Sequence, residues 1–385
     1  MKRMKIYRRM RIVGLLLALI LGLTGCGYTG NNSTGNSSGT QTDSGKLQVV
    51  ATIFPAYDFA RQIGGEAAEV KMLLSPGEEL HSYEPSPKDI IAIEQCDVFI
   101  YVGGESDTWV DDILDSIDTT RTTIIAMMDV VEALEEETIE GMDVGNPWAG
   151  HNHDHGEDDH GEDDHDENGY DEDDHGEGEH DHGDSEAAHD DGSAGDGEDD
   201  HTHTGGDHVE YDEHVWTSPE NAKLIVEKIA DEFCRHDSDN ELFYRQNEAA
   251  YTAELEALAG KLLEIRRAAV RATIIVGDRF PFRYLAEFME LEYYAAFPGC
   301  AEETEPSAKT VAFLIDKVKE EQIPVVFYGE FSSHLMAERI CEEAGGVPLL
   351  LHSCHNVTKD EFEAGVTYLD LMWANAENLK AALCN

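Results

Sequence analysis

Residues 70–88 read Val-Lys-Met-Leu-Leu-Ser-Pro-Gly-Glu-Glu-Leu-His-Ser-Tyr-Glu-Pro-Ser-Pro-Lys. Val70–Leu74 is an apolar run of strand length. Ser75 to Pro85 is punctuated by proline and glycine, which break regular structure and mark a loop. Ser86-Pro87 places an N-cap serine before an N1 proline and opens a helix over Lys88–Gln95. Strand, loop and helix in this order form the repeating unit of a parallel sheet covered by helices. The loop follows the carboxyl end of a strand, where open α/β sheets bind ligands, and it carries a histidine, His81.

The same alternation extends outward. Apolar, β-branched runs fall at Leu47–Ile53, Asp97–Val102 and Thr123–Met127. After a long interruption they return at Ala272–Gly277, Glu292–Ala296, Ile323–Tyr328 and Val347–Leu351. Helical stretches at Phe282–Met289, Ser307–Gln322, Ser332–Ala344 and Lys359–Leu383 separate the second set. Near-continuous apolar strands alternating with helices indicate parallel strands buried on both faces. The fold class is therefore α/β, with two lobes, each a four-stranded mainly parallel sheet flanked by helices. Ser218-Pro219 opens a helix to about Phe233, and a long helix runs from Asn240 to about Ala269. Leu255, Leu258, Leu262 and Ile265 give the long helix one apolar stripe, as expected of a stiff spine between the lobes. The expected division is 46–239 for the N-terminal lobe, 240–271 for the spine and 272–385 for the C-terminal lobe.

The chain has 385 residues, 27 Lys+Arg against 81 Asp+Glu, and a net charge of −54. That balance argues against nucleic-acid binding, which needs clustered Lys and Arg. The charge is uneven. Residues 151–208 hold 25 Asp+Glu, 12 of the 18 histidines and no Lys or Arg. The tract has too few apolar residues to offset its ordering entropy and is expected to be a disordered insert. Its histidines, His151, His153, His155, His160, His165, His175, His180, His182, His189, His201, His203 and His208, read as several weak metal sites.

At the other end, six bases in residues 1–11 precede the apolar run Ile12–Leu23, which is too short to span a bilayer and reads as a signal peptide over 1–25. Leu23-Thr24-Gly25-Cys26 resembles the lipobox of bacterial lipoproteins, which implies cleavage before Cys26 and acylation of its thiol. Residues 26–45, rich in Gly, Ser, Thr and Asn, read as a flexible tether. Six further cysteines allow 15 complete pairings. Cys300 and Cys354 both follow strands of the second lobe and are the favoured pair.

Outside the tract the histidines are His81, His214, His236, His334, His352 and His355. His214 lies in Glu213-His214-Val215-Trp216-Thr217-Ser218-Pro219, just before a helix. The two segments, Pro76-Gly77 through His81-Ser82-Tyr83-Glu84-Pro85-Ser86-Pro87 and then Glu213–Pro219, resemble the metal-specific solute-binding proteins of bacterial ABC importers, in their zinc branch. The resemblance covers essentially the whole chain. It implies a metal site in the inter-lobe cleft with His81 and His214 as two of its ligands. A third is expected just after the first strand of the second lobe, where this chain has Asp278 and no histidine. Asp278 is equally readable as an N-cap or a partner of Arg279. The fourth is expected after the last strand, where His352 takes the position, with His355 three residues on and Glu330 on the same rim. His236 and His334 read as surface residues.

The resemblance implies a lipid-anchored monomeric receptor on the outer face of a bacterial cell membrane. It would bind Zn²⁺ and pass it to an ABC permease, doing no chemistry of its own. Mn²⁺ is the alternative cargo, and a surface metal buffer or adhesin is the alternative role. Imidazole-rich ligand sets suit zinc better than manganese. No HExxH motif or nucleophile elbow supports a hydrolase.

Overall fold

A computed structural model describes residues 45–78, 83–143, 210–301 and 305–385. The signal peptide, Cys26, the tether, His81 and the whole 151–208 tract lie outside the described residues. Lys46–Asn385 forms one compact unit.

The first sheet contains β1 (Leu47–Ala51), β2 (Ala68–Met72), β3 (Val98–Tyr101) and β4 (Thr123–Ala126), in spatial order β2-β1-β3-β4. All its pairings are parallel. The second sheet contains β5 (Thr273–Phe280), β6 (Glu292–Pro298), β7 (Val325–Tyr328) and β8 (Val347–Leu350), in the order β6-β5-β7-β8, again parallel. The two lobes thus repeat one topology. In each, the chain switches sides at the first strand, leaving a crevice at the carboxyl edge.

Helices α1 (Phe54–Gly64), α2 (Pro87–Gln95) and α3 (Thr108–Ser116) belong to the first lobe. Helices α4 (Pro219–His236) and α5 (Glu241–Ala268) connect the lobes. The spine α5 has 28 residues, about 42 Å at 1.5 Å per residue. It buries Leu255, Leu258, Leu262 and Ile265, the stripe expected of it. The second lobe adds α6 (Arg283–Met289), α7 (Ala308–Glu321), α8 (Leu335–Ala344), α9 (Lys359–Ala364) and α10 (Tyr368–Leu383). Two features differ from expectation. The helical stretch 359–383 is two helices, because Gly365 turns left-handed at φ 73° and ends α9. Strand β5 runs on past Gly277 to Phe280, with an irregular register between Val276 and Arg279.

The lobes are fused rather than merely tethered. One apolar core runs from Val49 and Ile100 in the first sheet, through α1, α4 and α5, to Ile274 and Val276 in the second. Asp58 of α1, fully buried, accepts hydrogen bonds from Arg61 and from the Tyr368 amide at the start of α10. After β4 the chain crosses to the second lobe. The Asp143 amide donates to the Ala296 carbonyl of β6, and the Asp143 carboxylate accepts from Ser307. Gly141, at φ 91°, packs against Phe313 of α7 where no side chain would fit. On the other flank the Glu210 carbonyl accepts from the Glu136 amide, and the Glu136 carboxylate accepts from the Cys300 amide of the second lobe. Both flanks of the insert are therefore pinned beside the second lobe. Among the described residues, no helix is long and apolar enough to cross a membrane.

Candidate metal site

The carboxyl edge of the second sheet opens on a cavity of about 330 Å³, which His214 closes from the segment before α4. His214, Asp278, Glu330, Ser353 and His355 line it, with Arg279 and Glu305.

His214 precedes α4, whose N-terminus is capped by the Ser218 hydroxyl accepting from Asn221. Its imidazole is buried at 5% exposure. Nδ1 lies 3.2 Å from Asp212 Oδ1, and the His214 amide donates to that same oxygen at 2.8 Å. A carboxylate only accepts, so Nδ1 carries the proton and Nε2 keeps the lone pair a metal requires. A carboxylate behind a ligating imidazole is the usual way its ring is oriented. Burial pulls the imidazolium pKa down, but Asp212, Glu213 and Glu136 outweigh it and leave the value raised. Gly299 passes so close that a Cβ there would stand 3.1 Å from Asp212 Oδ2 and 3.4 Å from His214 Nδ1.

The loop after β8 supplies His355. Its ring is centred 6.4 Å from that of His214, at 89°. It also stacks at 6.2 Å on Trp216, whose Nε1 donates to the Ser353 carbonyl. His352, three residues earlier, does not line the cavity. Asn375 of α10 holds its backbone, accepting from the amide and donating to the carbonyl. Its Nδ1 accepts the Cys354 amide at 2.9 Å. Glu330 Oε1 stands 3.7 Å from that nitrogen, beyond hydrogen-bonding range. Nδ1 therefore holds the lone pair and Nε2 the proton, and Nε2 is buried without a hydrogen-bond partner. The tautomer that satisfies Cys354 is the wrong one for ligation through Nε2. The sequence put His352 ahead of His355, and the fold brings His355 to the cavity.

Asp278 reaches the cavity through the irregularity in β5. One oxygen accepts from the Arg279 amide, and the other faces Gly329, 3.7 Å from where a Cβ would be. Glu330 follows β7. Its oxygens accept the Ser353 hydroxyl and amide at 2.5 and 2.9 Å. Among the described residues, no three His, Cys, Asp or Glu side chains are arranged to hold a metal ion.

The expected Cys300–Cys354 disulfide is not formed: both thiols are free, as are Cys96, Cys234, Cys341 and Cys384. Cys354 is turned into the apolar core by a left-handed backbone at φ 63°. Cys300 lines a second cavity, about 390 Å³, with Glu136, Glu210 and Glu213. Burial, with Glu136, Asp212 and Glu213 nearby, pushes the Cys300 thiol far up. Sequence proximity to strand ends did not reveal that one thiol enters the core while the other borders a cavity. His236 is exposed, as expected, with Nε2 2.7 Å from Thr123 Oγ1. Asp212, the orienting carboxylate, was missed. Its signal was a buried-looking Asp two residues before the histidine.

Paired lobes of identical strand order, joined by one long helix, with a cavity at the strand ends of the second, have the architecture of a solute-binding protein. The chain belongs to the family described as zinc-uptake complex component A, periplasmic, whose profile it matches over residues 49–382. It is 29% identical over 374 residues to the zinc-binding lipoprotein AdcA of Streptococcus pneumoniae, covering 96% of this chain and 61% of that protein. It thus spans about three-fifths of the streptococcal relative. It is 27% identical over 372 residues to the high-affinity zinc uptake system protein ZnuA of Bacillus subtilis, covering 96% of both. The Zn(II)-bound ZnuA-like domain of S. pneumoniae AdcA superposes with a TM-score of 0.62 at 25% identity, over 89% of this chain and all of that one. The metal-dependent lipoprotein YcdH of B. subtilis superposes at 0.63 and 24% identity, over 88% of this chain and all of that one, a likeness of fold.

Proposed function

We propose that this chain is an extracytoplasmic receptor that captures Zn²⁺ in the inter-lobe cavity and passes it to an ABC permease, held to the membrane by acylated Cys26. The observation that carries the reading is the pair of near-perpendicular imidazoles, His214 and His355, on the cavity wall. Two imidazoles on one tetrahedral zinc, with Zn–N near 2.0–2.1 Å, have ring centres about 5 Å apart. The observed 6.4 Å needs closure of little more than 1 Å.

His81 is the third ligand in this reading, from the loop after β2. Asp278 is the fourth, in preference to Glu330. Both Glu330 oxygens already accept from Ser353, whereas among the described residues Asp278 accepts at one oxygen, from the Arg279 amide. Three imidazoles and one carboxylate favour zinc over the oxygen-preferring Mn²⁺. A shell closed by four protein ligands leaves no position for a reactive water, so the role is binding and not hydrolysis. His214 must lose its proton to bind. Its raised pKa therefore makes affinity fall as pH drops, starting from a higher pH than for an ordinary histidine. The test is competitive titration with Zn²⁺ and Mn²⁺ against a chelator. Zinc should bind more tightly, and His214→Ala should abolish the tight site. Tighter manganese binding, or an unchanged His214→Ala variant, refutes the reading.

A further inference from the structure

One carboxylate on the cavity wall is clamped at both oxygens by a single residue. Glu330 follows β7, and its side chain is 7% exposed. It lines the cavity with His214, Asp278 and His355, and the preceding Gly329 lies beside Asp278. The Ser353 hydroxyl donates to Glu330 Oε1 at 2.5 Å, within the range of a charge-assisted bond. The Ser353 amide donates to Oε2 at 2.9 Å. Two points of attachment fix where the carboxylate points as well as using its oxygens. Ser353 is itself held in place: its carbonyl accepts from Trp216 Nε1, and its hydroxyl accepts from the His355 amide. His352 Nδ1, 3.7 Å from Oε1, carries a lone pair and cannot replace the hydroxyl as a donor.

We infer that Ser353 is a specificity-determining residue: by clamping Glu330 to its own loop it keeps a second carboxylate out of the metal shell, and so tilts the cavity toward Zn²⁺ and away from Mn²⁺. This rests on the zinc reading of the cavity and deepens it. Imidazole suits zinc in a tetrahedron, whereas carboxylates and water in an octahedron suit manganese. With Glu330 clamped, this wall offers the imidazoles of His214 and His355 and one carboxylate, that of Asp278. Glu330 released from Ser353 adds hard oxygen ligands from the residue next to Gly329. A carboxylate oxygen left without a donor on a nearly buried side chain is costly, and a cation in the cavity is the partner that satisfies it.

The test is the ratio of Mn²⁺ to Zn²⁺ affinity at the tight site of the full chain, read by chelator competition with each metal. Ser353→Ala is measured in the native background and in a Glu330→Gln background. The substitution removes one oxygen and leaves the backbone bonds to Trp216 and Glu330 in place, so the fold is kept. Outer-shell hydrogen bonds are commonly worth 10–100-fold in metal affinity, so Ser353→Ala should move the ratio toward manganese by about tenfold or more. With Glu330 already glutamine there is no carboxylate to release, and the shift should stay within about threefold. The second background is needed because Ser353→Ala also strands the His355 amide, and a loosened imidazole disfavours zinc by itself. That effect is the same in both backgrounds. An unmoved ratio in Ser353→Ala, or an equal shift in both backgrounds, overturns the role of Ser353. A native chain that prefers manganese, or a His214→Ala variant that keeps the tight site, overturns the zinc reading on which it rests.

Discussion

His352 and His355 sit three residues apart in one loop, yet their replacement by alanine should give opposite results. His355 lines the cavity and faces His214. In the proposed site its removal deletes one of four ligands. Loss of a group that only orients a ligand costs 10–100-fold, so loss of the ligand should exceed 100-fold, or about 2.7 kcal/mol. The metal-free fold loses the packing of the ring on Trp216 but no backbone partner, since the His355 backbone bonds to Ser353 and Phe54 remain. His352 is the reverse case. Its ring is buried at 2% exposure and accepts the Cys354 amide. Alanine leaves that amide unpaired and a void behind it, together about 2–4 kcal/mol of stability. For a unit of this size that is roughly 3–7 °C in Tm. Zinc affinity should stay within about tenfold, because nothing facing the cavity is lost. Chelator competition gives the affinities, and thermal unfolding of the metal-free variants gives the stabilities. If His352→Ala loses zinc affinity as fully as His355→Ala, the tautomer argument is wrong and His352 is a ligand.

Asp107 offers a pH test of stability. Its carboxylate is buried, and burial is the main cause pushing its pKa from 3.8 up to about 7, against the Val102 and Gly103 amides it accepts. The folded state therefore holds the proton more tightly than the unfolded one, and the contribution is lost as pH rises from about 4 through 7. That span is worth about 4 kcal/mol. Asp107→Asn keeps both accepted bonds without the charge, so its Tm advantage over the native chain should be several degrees larger at pH 8 than at pH 5; a pH-independent difference counts against the assignment. Gly299→Ala places a methyl 3.1 Å from Asp212 Oδ2 and 3.0 Å from the Phe280 carbonyl. Displacing Asp212 from His214 should weaken zinc binding about 10–100-fold, and native affinity by chelator competition would show that the pair tolerates the shift. Deleting residues 151–208 should remove the weak zinc sites and leave one tight site; calorimetry showing loss of the tight site would place essential ligands in the tract.

The sequence by itself determined the elements that depend on local pattern. Apolar β-branched runs located all eight strands, and Leu255, Leu258, Leu262 and Ile265 located the spine, because burial of a strand or a helix stripe leaves its period in the chain. Ser86-Pro87 and Ser218-Pro219 marked helix starts, since capping is a contact between near neighbours. His81 and His214 stood out because each occupies a short motif next to a regular element. The α5 stripe and the two four-stranded parallel sheets are both present in the fold as expected. The choice between His352 and His355 was not legible. It turns on a hydrogen bond from the Cys354 amide, on Asn375 from a helix twenty residues later, and on which way a left-handed residue sends the chain. Nor could the sequence show that Cys300 and Cys354 face different surroundings, or that Asn356 reaches across to Ser75 and Glu78. These contacts join residues up to 281 positions apart. Only the packed structure decides them, because side-chain direction at the end of a strand is set by what the neighbouring lobe presses against it.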